Sequence, residues 1–207
     1  MSPRPRKASD ADVFAAAVRV MSRVGPADLT LAEIAAEAGL TAGALVQRFG
    51  SKLALLRAMS KGAAEDTNRF AADIRAANAS PVAALVAYAR CVAGLAPSPA
   101  ALARNLAYLQ LDLTDRYLYP SLLRQAQTTR RAYRSFVDEA IAAGELVAST
   151  DAAALARAVD TVVNGALMTW AVYRKGPAAD WIERDVRAAL APYLPTRPRA
   201  GRARRRR

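Results

Sequence analysis

LTLAEIAAEAGLTAGALVQRFGSKLALL, residues 29–56, starts like one helix, stops at Gly39, restarts, and stops again at Phe49-Gly50. Thr30 stands directly before the first helical residues and Glu33 three positions on, the spacing of a capping box. In that arrangement the hydroxyl accepts from the amide of residue 33 and the carboxylate accepts from the amide of residue 30. Ile34, Ala35 and Ala38 then share one face, Gly39 supplies the left-handed turn that ends the helix, and Leu40 fills the corner. Thr41 caps a second helix whose inward residues are Leu45 and Phe49. Two helices this short and this closely joined predict a helix-turn-helix unit. A plain helical hairpin with solvated Gln47 and Arg48 is the competing reading.

Outward from this stretch the pattern stays helical. Alanine, leucine, arginine and glutamate dominate, and apolar residues recur at steps of three and four rather than alternating. A first helix is expected over 10–24, with Val13, Phe14, Ala17, Val20, Met21 and Val24 on one face and Gly25-Pro26 as its stop. After the unit, a helix from Lys52 carries Leu55, Leu56, Met59, Ala63, Phe70 and Ile74 up to the NASP break. Helices over 81–95 and 99–113 follow, parted by APSP, then a long one over 117–143, then 151–174 and 178–194. The chain is read as all-α, about nine helices with no internal repeat, and the short connections predict antiparallel neighbours in a bundle. The expected organisation is a basic arm (1–9), a helix-turn-helix domain (10–51), a larger helical domain (52–195) and an arginine-rich tail (196–207).

With 207 residues, 53% of them hydrophobic, the chain can bury roughly 70% of its unfolded surface and fold without covalent staples. A single cysteine, Cys91, excludes an internal disulfide. The absence of histidine removes the usual zinc clusters and the Ser-His-Asp and Cys-His catalytic sets. No metal-ligand or nucleotide-binding motif is present, so no metal and no cofactor is expected. Neither a signal peptide nor an apolar run near the roughly 18 residues of a membrane span is read, which predicts a cytoplasmic protein with no membrane partner. Of the net charge of +12, the seven arginines from 197 to 207 supply 7, leaving 12 − 7 = +5 on the remainder. A tail of arginine and proline has no core to join and is attracted to polyanions such as DNA or RNA; simple solubilisation is the plainer alternative.

In a DNA-reading unit the second helix lies in the major groove, and small residues at Ala42, Gly43 and Ala44 allow a close approach. Gln47 and Arg48 are long enough to reach bases or phosphates, Gln47 suiting adenine and Arg48 guanine. Arg4, Arg6 and Lys7, set among prolines just before the first helix, form an arm of the kind that reaches into a minor groove; a disordered leader is the other reading.

From residue 10 to about 59 the chain resembles the amino-terminal domain of the tetracycline-repressor (TetR) family of bacterial transcription regulators. The resemblance rests on LTLAEIAAEAGLTAGAL, a phenylalanine, then SK and leucines, in order and without gaps after a helix ending in glycine. It covers about a quarter of the chain, and the helix count extends it over the rest. It implies three DNA-binding helices, a larger ligand-binding and dimerising domain, and no enzymatic activity. Carried over, Thr30 would touch a phosphate, Thr41, Ala42, Gly43 and Gln47 would sit in or beside the groove, and Lys52 would bind a phosphate. The family commonly has tyrosine where this chain has Val46 and histidine or tyrosine where it has Arg48. Val46 cannot donate to a phosphate, so it contacts a thymine methyl or affinity is recovered through Arg48 and the termini.

A homodimer is expected through the last two helices, whose apolar faces are broad: Leu155, Val159, Val162, Val163, Ala166, Leu167 and Trp170, with Gly165 and Thr169 small enough to admit a partner, then Trp181, Ile182, Val186, Ala189, Leu190 and Tyr193. Packing within one chain would use the same faces. A pocket for a neutral or anionic, partly apolar effector is expected among Phe70, Tyr88, Cys91, Asn105, Tyr108, Tyr133, Phe136, Asn164 and Trp170, which mix apolar bulk with hydrogen-bonding tips. Each of these also suits an ordinary core. Asp112 and Asp115 read as exposed carboxylates that end one helix and cap the next. The expected function is a ligand-responsive, DNA-binding regulator acting on a pseudo-palindromic operator. The alternatives are a non-specific polyanion binder working through its tail and an α-helical enzyme, the latter disfavoured by the missing histidines and catalytic carboxylates.

Overall fold

The computed structural model describes residues 8–195. The arm residues Arg4, Arg6 and Lys7 and the tail over 196–207 lie outside the described residues. Within them the chain forms ten α-helices and no strand: α1 Asp10–Met21, α2 Leu31–Glu37, α3 Ala42–Phe49, α4 Lys52–Ser60, α5 Ala63–Ala76, α6 Pro81–Cys91, α7 Pro99–Thr114, α8 Tyr119–Ala142, α9 Ala152–Tyr173 and α10 Ala178–Leu190. They correspond to the nine expected helices, the one beginning at Lys52 being interrupted at Lys61-Gly62 to give α4 and α5. Glycine in a helix interior costs about 1 kcal/mol, and Gly62 supplies no side-chain cap. No single helix is long and apolar enough to cross a membrane.

The helix starts are written in short polar residues. Ser9, Thr30, Thr41, Ser51, Ser80, Ser98 and Asp151 each accept a backbone amide of the first turn that follows, which satisfies donors that the helix itself leaves free. Pro81 and Pro99 occupy first helical positions, where a missing amide hydrogen is harmless. Gly39 and Gly50, with φ of +67° and +81°, end α2 and α3 in the left-handed region.

Two apolar cores result. Val13, Val20, Leu29, Ile34, Leu45 and Leu55 build the head, α1–α4, while α5, α6, α8, α9 and α10 share the larger core around Leu85, Tyr133, Val137, Val159 and Ile182. The head core is not closed by its own helices. Tyr108 of α7 and Leu118, in the turn before α8, are buried in it, with Leu111 packed against it. Asp112 and Asp115 therefore differ from the exposed carboxylates expected. Asp112 is half-buried, its carboxyl raised above the usual range by desolvation and then by Asp115. Asp115, with a side chain only 15% exposed, pairs with Arg57 of α4 and accepts the amides of Tyr117 and Leu118.

Candidate nucleic-acid interface

Thr30 holds both halves of its capping box: its hydroxyl accepts from the Glu33 amide at 3.1 Å, and its own amide donates to Glu33 Oε2 at 3.0 Å. The Thr30 hydroxyl also donates to that carboxylate, so Thr30 fixes where α2 begins. Thr41 does the same for α3 through the Ala44 amide at 3.2 Å. Leu45 is fully buried and Phe49 lies against Phe14 with ring centroids 6.0 Å apart, which anchors α3 by its inner face.

At 100° per residue that anchoring turns Gly43 and Gln47 directly outward and sets Val46 at the edge of the outer face, while Ala42, on the inner side of the wheel, stands open as the first residue of the helix. All four are exposed, Val46 by 51%, and nothing lies within 4 Å of where a Gly43 side chain would begin. The face is small and neutral, shaped for close approach, with Gln47 its one long hydrogen-bonding side chain. Lys52 stands at the first turn of α4, half-buried, with Nζ donating to the Pro26 carbonyl at 2.8 Å. An ammonium has three donors, so two remain for a phosphate.

Arg48 is placed differently from the groove-facing role expected of it. It lies about 100° round α3 from Gln47, lining the same cleft as Gln47 beside Ala8 and Ser9, donates to the Ala8 carbonyl at 2.7 Å, pairs with Asp10 and lies 5.5 Å from the Phe49 ring centroid. It ties the start of α1 to α3. On the flank of the head, Arg19 and Arg23 both bond Glu37 at 2.7 Å and hold its carboxyl below the usual range. Those two positive charges are thereby committed within the head.

Of the residues expected around an effector, the structure brings four together. Tyr88 lies 5.9 Å from Phe70, 5.2 Å from Tyr133 and 5.6 Å from Phe136, centroid to centroid. Phe70 is 43% exposed at one end of this row, and Tyr133, 1% exposed, is at the other, its hydroxyl without a hydrogen-bond partner among the described residues. Burial pushes both tyrosines up, most strongly Tyr133; the Thr129 hydroxyl beside Tyr88 pulls that one back. Cys91 is exposed at the end of α6.

The other four lie elsewhere. Tyr108 belongs to the head core, donating to the Val24 carbonyl at 3.2 Å, and burial pushes its phenol up to about 12. Asn105 bonds the Leu95 carbonyl, Asn164 is exposed and bonds the Asp160 carbonyl one helical turn back, and Trp170 donates to the Gly176 carbonyl at 2.9 Å. Tyr108 and Trp170 are buried with only their polar tips bonded to loop carbonyls, Tyr108 in the head core and Trp170 in the larger core that also holds Tyr88, Tyr133 and Phe136. Sequence periodicity did not single out Arg57 or Leu118, because what makes them matter is the α7–α8 turn arriving from about 60 residues away. Among the described residues no cluster of side chains could hold a metal ion.

Comparison with known proteins bears on the fold and the family. Residues 13–59 match the family model described as bacterial regulatory proteins, tetR family, and residues 111–186 match the tetracyclin repressor-like C-terminal domain. None of the curated proteins matches the sequence. Among solved structures, a TetR transcription regulator from Haloarcula marismortui superposes with a TM-score of 0.70 at 18% identity, covering 90% of this chain and 98% of that one. SmeT, the repressor of the Stenotrophomonas maltophilia multidrug efflux pump SmeDEF, gives 0.65 at 19%, covering 91% and 92%. FadR from Bacillus subtilis, in complex with stearoyl-CoA, gives 0.68 at 16%, covering 88% and 98%. At these identities the solved structures speak for the fold. The two family models span more than half of the sequence, one over the reading head and one over the helical body, and the chain belongs to the TetR family of DNA-binding transcription regulators.

Proposed function

We propose that the protein is a homodimeric, ligand-responsive repressor that occludes a promoter by binding a pseudo-palindromic operator. The observation that carries the reading is the outward face of α3, where Ala42, Gly43, Val46 and Gln47 lie free above a rigidly capped helix while Thr41 and Lys52 flank them. Such a face suits a major groove, with Gln47 hydrogen-bonding a base edge, Val46 meeting a thymine methyl, and Thr30 and Lys52 at phosphates.

The dimer reading rests on what α9 leaves uncovered. Leu155, Val159, Val163, Ala166, Leu167 and Trp170 are taken up by the chain's own core, as are Ile182, Val186 and Leu190 of α10. Thr161, Gly165, Met168 and Val172 remain exposed, Val172 by 76%. Their spacing of four, three and four residues makes one stripe suited to a partner helix. A two-fold axis there would place two heads on one operator. Sedimentation of the protein with a duplex that it binds specifically should give two chains per site. Val172→Arg should yield monomers that bind the duplex more weakly, and a wild-type monomer that binds with full affinity would refute the dimer.

The effector is assigned to the row Phe70, Tyr88, Phe136 and Tyr133, because a buried hydroxyl without a partner is costly unless something bonds it. Two connections lead from there to the head. Phe70 sits on α5, which meets α4 at Lys61-Gly62, and Tyr133 sits on α8, whose first turn adjoins Leu118 in the head core. A molecule that moves either helix changes the angle of the head. If it prefers the non-binding arrangement about 100-fold, operator affinity falls by up to about as much. FadR, which shares the fold and holds stearoyl-CoA, is consistent with a partly apolar effector. Binding through the arginine tail alone is the competing function, and removal of residues 197–207 separates the two: a sequence reader keeps its preference and loses salt dependence.

A further inference from the structure

A second concave site lies outside the aromatic row, between α8 and the amino-terminal half of α9. This groove has a volume of about 410 Å³. Leu123 and Ala126 of α8 and Ala153 and Ala156 of α9 give it an apolar floor, and four guanidiniums surround that floor. Two of the four are neutralised in place. Arg130 bonds Asp160 at 3.1 Å, and Arg134 lies 3.6 Å from Asp138.

The other two are not. Arg131 of α8 donates to the Thr128 hydroxyl at 2.8 Å and, among the described residues, pairs with no carboxylate, while the guanidinium of Arg157 on α9 makes no hydrogen bond or ion pair with a described residue. Asp151 is the acid nearest to it in effect, and its own oxygen is engaged by the amides of Ala153 and Ala154. One guanidinium with no bonded carboxylate among the described residues thus stands on each wall of an apolar groove. A guanidinium is a planar fork of donors whose geometry matches a carboxylate.

We propose that this groove binds a carboxylate carried on an unbranched apolar chain, the head held between Arg131 and Arg157 and the chain laid along Leu123, Ala126, Ala153 and Ala156. The volume lies toward the lower end of the range for small-molecule sites, about 300–1,000 Å³, which suits a single medium-length chain. The charge selects against a cationic amphiphile, and the apolar floor selects against a small inorganic anion. The assignment is independent of DNA reading, because no residue of the groove belongs to the head; Arg131 alone also borders the neighbouring cleft that Phe136 lines.

The test is calorimetric titration of the full chain, without DNA, using decanoate below its micellar concentration and decanol as the uncharged counterpart. Decanoate is expected to bind at least about 10-fold more tightly than decanol. The exposed pair Arg131→Ala and Arg157→Ala, made together, should bring decanoate down to the level of decanol. Ala153→Phe, which fills the floor, should weaken both ligands. Tyr133→Phe should leave decanoate binding unchanged. Equal affinity for decanoate and decanol, no binding of decanoate by the wild-type chain, or full affinity in the double arginine variant would each overturn the proposal. Loss of decanoate binding in Tyr133→Phe would also overturn it, because the ligand would then occupy the aromatic row.

Discussion

Arg57 on the last turn of α4 and Asp115 at the carboxyl end of α7 bond at 2.9 Å, joining the reading head to the hairpin formed by α7 and α8. The guanidinium also lies 4.1 Å from the Tyr117 ring centroid, and the second carboxylate oxygen caps the turn that delivers Leu118 to the head core. One ion pair therefore couples the position of α4 to the position of the α7–α8 turn. Arg57→Ala and Asp115→Ala should each destabilise the protein, and the double variant should lose less than their sum. A double-mutant cycle from urea melts should return a coupling of about 0.5–3 kcal/mol; purely additive losses would show that the two residues do not act together.

Four carboxylates, Asp115, Glu37, Asp151 and Glu183, are held below the usual range; the first two tie the head together and serve to test the pH dependence of stability. Hydrogen bonds from Arg57, and then from the backbone at Tyr117 and Leu118, hold Asp115 below the usual carboxylate range; Arg19 and then Arg23 do the same for Glu37. A lowered folded-state pKa contributes stability that is fully present above the unfolded value, about 4 for these groups, and is lost as pH falls through the lowered folded value. Urea midpoints measured from about pH 6 down to about pH 2 should fall along this limb. Asp115→Asn and Glu37→Gln should each flatten it.

Gln47 and Arg48 are neighbours in sequence with different assignments. Gln47→Ala should cost about 1–3 kcal/mol of discrimination at one operator base pair. Arg48→Ala should leave the preferred sequence unchanged and act through the Ala8 and Asp10 attachments of α1, an exposed ion pair worth about 0.2–1 kcal/mol of head stability. Binding-site selection with both variants, alongside melting curves, distinguishes them. A changed base preference in Arg48→Ala would return that residue to the groove.

Lys52→Ala should weaken binding about uniformly across DNA sequences and reduce the magnitude of the salt slope by about 1. Titrations at several salt concentrations measure this directly. A sequence-dependent loss would mean that Lys52 reads bases.

Tyr133→Phe should stabilise the unliganded chain or leave it unchanged, because it removes a buried hydroxyl that has no partner; desolvating such a group costs about 1–3 kcal/mol. The same variant should bind the effector more weakly. A thermal melt that drops by several degrees would show that the hydroxyl is bonded in the free protein.

The parts legible in the sequence are those that local chemistry decides. Thr30 with Glu33, Thr41 before its run of small residues, and Gly39 and Gly50 mark the ends of α2 and α3 within the chain segment that they govern. The break at Gly62 was hidden because Leu55, Leu56, Met59 and Ala63 keep one period across it, although α4 packs into the head and α5 into the body. Long-range placement was hidden as well. Tyr108 carries the same apolar-with-hydroxyl signature as Tyr88 and Tyr133, and only the arrival of α7 beside Val24 assigns it to the head. Arg48 reads as an exposed groove residue until Ala8 and Asp10 are seen beside it. The apolar width of α9 suggests an excess available to a partner; most of it lies in the chain's own core, and the stripe from Thr161 to Val172 is what remains.

Selection from random duplex DNA by the purified chain at physiological salt, where non-specific binding is weak, shows whether the outward face of α3 reads a DNA sequence. Enrichment of a palindromic motif that survives removal of residues 197–207 is expected. No enriched motif, with binding that disappears when the tail is removed, would contradict it and make the arginines the contact.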